Sequence, residues 1–120
     1  MSKTFYACMA MTLIFCACGK QHKAEETVET FLAANLRAEG YSADFTKIDS
    51  TTLVSDSMVN VMRKAAAANK AFKSPIRYGA EPPQPSYTFT KAHVIVGDDT
   101  LRHTFYLSPD LSKVVAFKEN

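Results

Sequence analysis

The sequence predicts an α+β fold: two amphipathic helices packed on a small antiparallel sheet that closes in a three-stranded meander. Three observations carry this reading. Apolar residues recur at helical spacing over residues 24–39 and again over 58–72. Pro75, Pro82, Pro83, Pro85 and Gly79 make residues 74–86 unfit for an ordinary helix or a central strand. From Tyr87 onward, strand-forming runs are separated by two turn signals. The 120 residues suffice for one domain.

The first helix is expected over residues 24–39. Val28, Phe31, Leu32 and Leu36 form its apolar stripe, Glu25 and Glu26 suit the positive end of its dipole, and Gly40 suits the C′ position. Over Tyr41–Val54, apolar residues are interrupted by Lys47, Asp49 and a Ser-Thr-Thr run, which predicts one short, irregular strand. Ser55, Asp56 and Ser57 offer N-cap oxygens for a second helix. Its expected packing stripe is Met58, Val61, Met62, Ala65, Asn69 and Phe72, and the segment closes at Pro75. Strands are then expected at 87–96, 100–107 and 113–118. The first two are joined at Gly97-Asp98-Asp99, and the last turn is Ser108-Pro109-Asp110. Runs of strands without intervening helices mean hairpins, not βαβ units.

Ahead of the domain lies a different kind of segment. Lys3 is the only charge before Lys20, and Thr4 to Cys18 is apolar apart from two threonines. That is the pattern of an export signal, and it is shorter than the roughly 20 apolar residues a membrane span needs. Cleavage after Ala17 by an ordinary signal peptidase would put bulky Phe15 at the −3 position. Phe15-Cys16-Ala17-Cys18 instead resembles a bacterial lipobox, in which a nucleophilic thiol is alkylated by diacylglycerol and the chain is cut just before it. Phe15 and Cys16 depart from the commoner residues of that motif, while Ala17 fits it. The resemblance implies a signal peptide at 1–17, a lipidated Cys18, a short polar tether through Lys23 and a single domain at 24–120.

The remaining chain would carry thirteen basic and twelve acidic side chains and one cysteine, already used as a thioether. Thiol catalysis and thiolate–metal chemistry are thereby excluded, and so near-neutral a balance gives no electrostatic footprint for nucleic acid. Stable anchoring takes more than one acyl chain, and Lys20, His22 and Lys23 would each add about 1 kcal/mol on an anionic surface when charged.

Candidate reactive groups are few. His93 and His103 share one hairpin. A three-residue loop would set them face to face, whereas a two-residue loop sends them to opposite faces and aligns the apolar residues better. Two nitrogens also fall short of the three protein ligands of a catalytic zinc, so no metal site is assigned. Asp98 and Asp99 sit where a turn wants Asp and where water leaves no reason for a tuned pKa. Arg63, Lys64, Lys70, Lys73 and Arg77 read as a solvated basic face, and Pro82–Pro85 as a stiff loop. There is no nucleophile elbow, Walker loop, zinc-protease motif or dinucleotide fingerprint, and no cofactor is expected. Three of the six aspartates stand before Ser50, Ser57 and Thr100, each resembling the acceptor motif for O-glycosylation of exported Bacteroidales proteins.

Taken together, the lipobox, the helix–helix–meander order, the Ser-Asp-Ser entry to the second helix and the closing Thr-Phe-Tyr-Leu and Val-Val-Ala-Phe-Lys runs resemble small Bacteroidales-type lipoproteins. The resemblance implies a compact sheet-and-helix domain of cystatin-like or nuclear-transport-factor-like appearance. It also implies a membrane attachment through the N-terminal lipid and an envelope protein as partner. Such chains reach the cell exterior when acidic residues closely follow the lipidated cysteine. Residues 19–23 contain none, so the resemblance implies a domain on the periplasmic face of the outer membrane. The expected role is a non-enzymatic binding or assembly module. The alternative is a carrier holding a small hydrophobic ligand in a cup between sheet and first helix.

Overall fold

The computed structural model describes residues 19–120 in full and, before them, backbone alone from Ser2. The expected signal peptide at 1–17 and the expected lipid attachment at Cys18 therefore fall where no side chain is described. The elements in chain order are α1 (Ser2–Asn35), β1 (Ser42–Phe45), β2 (Asp49–Thr51), α2 (Asp56–Ala67), β3 (Tyr87–Val96), β4 (Asp99–Leu107) and β5 (Val114–Glu119). All strand pairs are antiparallel, in the order β1-β3-β4-β5, and β2 continues β1 along the other half of β3. The architecture is the expected α+β one, two helices on an antiparallel sheet. Among the described residues no helix is long and apolar enough to cross a membrane.

α1 crosses one face of the sheet. Ala24, Val28, Phe31, Leu32 and Leu36 are buried, and they meet Ala92 and Val94 of β3, Phe105 and Leu107 of β4, and Val114 and Phe117 of β5. The apolar stripe is the one the spacing predicts, but the helix bounds differ. Gly19–Lys23, expected as a polar tether, are helical. At the other end the helix stops at Asn35, four residues short of the expected Glu39. The buried Asn35 side chain explains the stop. Its Nδ2 donates to Phe31 O (2.9 Å) and Arg77 O (3.3 Å), and its Oδ1 accepts from Arg77 N (2.8 Å). Arg37 N then turns to Ala71 O (2.9 Å), and Leu36 bridges Phe72, so the backbone finds its partners outside the helix.

Two short strands stand where one was expected. β1 pairs Ser42–Phe45 with Ala92–Ile95, and β2 pairs Asp49–Thr51 with Tyr87–Phe89. The interruption is organised by Thr46. Its amide donates to Lys91 O (2.9 Å), its hydroxyl accepts from Lys91 N (3.0 Å), and its carbonyl accepts from Thr90 Oγ1 (2.8 Å).

α2 begins as its sequence indicates. Ser55 is extended and its side chain accepts from Met58 N (3.2 Å), while Val54 before the cap and Val59 after it join one apolar cluster as a hydrophobic staple. Its packing face is a correction to the sequence reading. Val59, Met62 and Ala66 are buried, whereas Met58 is 47% and Val61 67% exposed. The two stripes share Met62 and differ by a small rotation about the helix axis. What selects the observed one is its partner: small Ala66 joins the cluster of Phe72 and Phe117, and Val59 and Met62 join Tyr87, Tyr106, Val115 and Ala116.

β3 and β4 form a long hairpin whose register pairs Val96 with Asp99, leaving Gly97 and Asp98 as a two-residue loop. Gly97 has φ 60° at the first central position, where a type II′ turn demands a positive angle. Asp99, expected in the turn, is the first residue of β4. β5 pairs with β4 through a bulge between Tyr106 and Leu107 that leaves Val115 without a register partner.

Candidate functional site

The hairpin register decides the histidine question. His93 lies opposite Arg102, and Ala92 opposite His103, so the two imidazoles point to opposite faces. His93 is exposed. His103 is 1% exposed and sits in an aromatic cage, with ring centroids 5.6 Å from Phe72, 5.4 Å from Phe117 and 6.2 Å from Phe105. Its Nε2 is 3.5 Å from Asn69 Nδ2, and Nδ1 has no protein partner. Burial pushes its pKa below the ordinary histidine value, opposed in part by the Glu119 carboxylate. An enclosed ring of this kind is a core residue. Among the described residues no three His, Cys, Asp or Glu side chains converge as metal ligands.

The other candidates are dispersed. Asp98 and Asp99 are exposed at the hairpin tip. Ser50 on β2, Ser57 in the first turn of α2 and Thr100 on β4 are exposed on three separate elements, so each hydroxyl is open to solvent. Of the basic run, Arg63 is not a solvated charge. Its Nε and Nη2 donate to Val115 O (2.9 and 2.8 Å), Nη2 also reaches Ala80 O (2.8 Å), and Nη1 pairs with Glu81 (2.7 Å). Its guanidinium lies 4.2 Å from the centroid of the Tyr78 ring. Lys64, Lys70, Lys73 and Arg77 are exposed.

The cup between sheet and first helix is filled. Phe31 stands edge-on to Phe105 (6.1 Å) and to Phe117 (5.6 Å), Phe105 stacks on Phe117 (5.4 Å), and Phe72 closes on Phe117 (4.6 Å). Open space lies instead on the outer flank of α1, in a groove of about 430 Å³ between that helix and residues 77–79 and 112–114. Phe31 and Tyr78 contribute its apolar part, and Lys23, Arg77 and Lys113 its margins. The neighbouring Tyr78 hydroxyl is buried without a protein partner, and burial raises its pKa despite the nearby Arg63 charge.

Sequence reasoning placed a turn at Ser108-Pro109-Asp110 but missed that it braces this flank. Leu111 has φ 66°, a left-handed conformation that costs a non-glycine residue roughly 1 kcal/mol. Its side chain is buried in the α1 cluster, and its carbonyl accepts from Thr27 Oγ1 (2.6 Å). Asp110 stabilises the same turn by accepting from the Ser108 and Ser112 hydroxyls (2.7 Å each) and from Ser112 N (3.1 Å). Led by the Ser108 hydrogen bond, these contacts bring its pKa down to about 2. The Ser-Pro-Asp signal marked a turn; nothing in it indicated a contact with a helix more than eighty residues away.

No protein-family model, curated protein or solved structure matches this chain.

Proposed function

We propose that this chain is a lipid-anchored protein of the cell envelope. In this reading Cys18 carries the lipid, and the α+β domain works as a non-enzymatic binding or assembly module on the periplasmic face of the outer membrane. The observation that carries the reading is the N-terminal pattern: one basic residue, an apolar run, then Phe15-Cys16-Ala17-Cys18 immediately before a charged, folded chain. The dispersal of the reactive side chains supports a role without turnover. His93 and His103 lie on opposite faces, the Asp98–Asp99 pair is solvated, and the space a hydrophobic cargo would need is occupied by phenylalanines. The partner is unidentified.

Metabolic labelling with an alkyne fatty acid tests the anchor. Wild-type protein is expected to take up label and Cys18→Ala to take up none. Equal labelling of both, or of neither, overturns the assignment. Protease treatment of intact cells tests the placement: a periplasm-facing domain survives until the outer membrane is opened, whereas digestion on intact cells puts it outside.

A further inference from the structure

Among the described residues no flexible leash precedes the domain, because Gly19–Lys23 are helical. Gln21, three residues after Cys18, is clamped to the connection between β1 and β2. Its Nε2 donates to Thr46 O (3.0 Å) and its Oε1 accepts from Ile48 N (2.9 Å), while Nε2 also meets Glu25 one turn on (2.8 Å). Three residues of helix span about 4.5 Å. The part of the domain around Gln21 is therefore the part nearest the anchor.

That region carries Lys20 and Lys23 of α1, which share a shallow depression with Ile48, Thr88, Pro109, Leu111 and the carboxylate of Asp110. Lys47, exposed, lies between Thr46 and Ile48 and so beside the clamp. Thr88 is paired with Leu107, the last residue of β4, so the depression sits at the end of the sheet where β3 begins and β4 finishes. β2 runs toward the same end, with Thr51 opposite Tyr87, and two residues further on stands Leu53, 84% exposed. A lone exposed leucine means little in itself. Its placement beyond the sheet end at which the depression lies, together with Lys20, Lys23 and Lys47 against the Asp110 carboxylate, suits an anionic bilayer surface: an apolar side chain to enter the headgroup boundary and ammonium groups to meet phosphates.

We infer that this end of the domain, with Lys20, Lys23, Lys47 and Leu53, is seated on the bilayer as a second, non-covalent contact that fixes the domain's orientation. The inference rests on the lipid attachment at Cys18 proposed above. The test uses Leu53→Cys and Ile95→Cys proteins, expressed as the full chain and purified with their native lipid. Each is labelled with an environment-sensitive NBD fluorophore and placed in phosphatidylethanolamine–phosphatidylglycerol vesicles. Ile95, 41% exposed and close to the hairpin tip at the opposite end of β3, is the reference. The expected result is blue-shifted emission and loss of iodide quenching at position 53 but not at 95. Inserting about ten Gly/Ser residues between Gly19 and Lys20 adds roughly 17 Å of slack and restores quenching at 53. Equal quenching at both positions, on protein whose intact mass includes the acyl chains, overturns the seat and leaves the anchor standing. Protein recovered without that mass overturns both.

Discussion

Arg63 of α2 donates twice to the carbonyl of Val115, the residue that β5 leaves unpaired at its bulge. β5 is the edge of the sheet, and an unpaired edge invites pairing with another chain. α2 lies along that edge, and its arginine occupies the acceptor most open to misuse. Replacing Arg63 by Ala should cost about 2–4 kcal/mol in urea unfolding, because the carbonyls of Val115 and Ala80 lose a charged donor and Tyr78 loses its cation. Arg63→Lys should recover less than half of that, since one ammonium cannot reproduce the fork. A Lys variant as stable as wild type would refute this account of the edge.

Asn35 ties the end of α1 to the connector before β3 through both atoms of its amide, and it is 2% exposed. Asn35→Ala takes the side-chain partners from the part-buried amide and carbonyl of Arg77 and should destabilise by about 2–3 kcal/mol. Asn35→Asp keeps the shape yet removes the donor and adds a buried charge, so it should be worse at neutral pH. Hydrogen exchange at the Arg77 amide should speed up in Asn35→Ala beyond the change in global stability, marking local release of residues 73–79.

The orientation of α2 can be read by contrasting neighbours. Val59→Ala removes two buried methyl groups beside Tyr87 and Tyr106 and should cost about 2–3 kcal/mol. Val61→Ala should stay within about 0.5 kcal/mol, as that side chain faces water. Equal losses would mean the helix is rotated toward the stripe that its sequence alone suggests.

Buried His103 makes stability depend on pH with a definite sign. Its folded-state pKa lies below the ordinary value of 6.5, so the unfolded chain binds more protons in the interval between the two. Stability should therefore fall as pH drops below about 6.5 and level off once the folded-state pKa has been passed. Denaturant midpoints between pH 7.5 and 5 check this. His103→Leu replaces an unsatisfied polar ring with an apolar side chain of similar size, so it should remove that slope while leaving neutral-pH stability unchanged or higher.

Asp110 acts in a lower window. Its pKa, about 2, lies below the ordinary value of 3.8, so its contribution is complete above pH 4 and vanishes as pH falls toward 2. Asp110→Asn should lose part of the turn's stability at neutral pH and flatten the acid limb of the same titration. An unchanged acid limb would show that the Ser108 and Ser112 contacts do not outlast competition with water.

Several features are written locally and could be read without coordinates. The Val28–Phe31–Leu32–Leu36 stripe, the Ser55 cap, the proline-rich connector and the Gly97 turn each depend on residues within a few positions of one another. So does the two-residue register that separates His93 from His103, because alternation and turn length together define it. The lipobox-like run is equally local, and it alone motivates the anchor.

Other features depend on partners distant in the chain. α1 ends at Asn35 because Arg77 and Ala71 offer hydrogen bonds there, and β1 breaks from β2 because Thr46 finds Thr90, Lys91 and Gln21. α2 turns Val59 inward rather than Val61 because the space beside Tyr87 and Tyr106 receives it; both faces are apolar enough by composition. Gln21, read as part of a loose tether, becomes a clamp only when residues 46–48 arrive beside it. Local pattern thus determined which segments are helices and strands. Tertiary structure decided where those helices end and which face they bury, since those choices are made by hydrogen bonds and packing between residues that only the folded chain brings together.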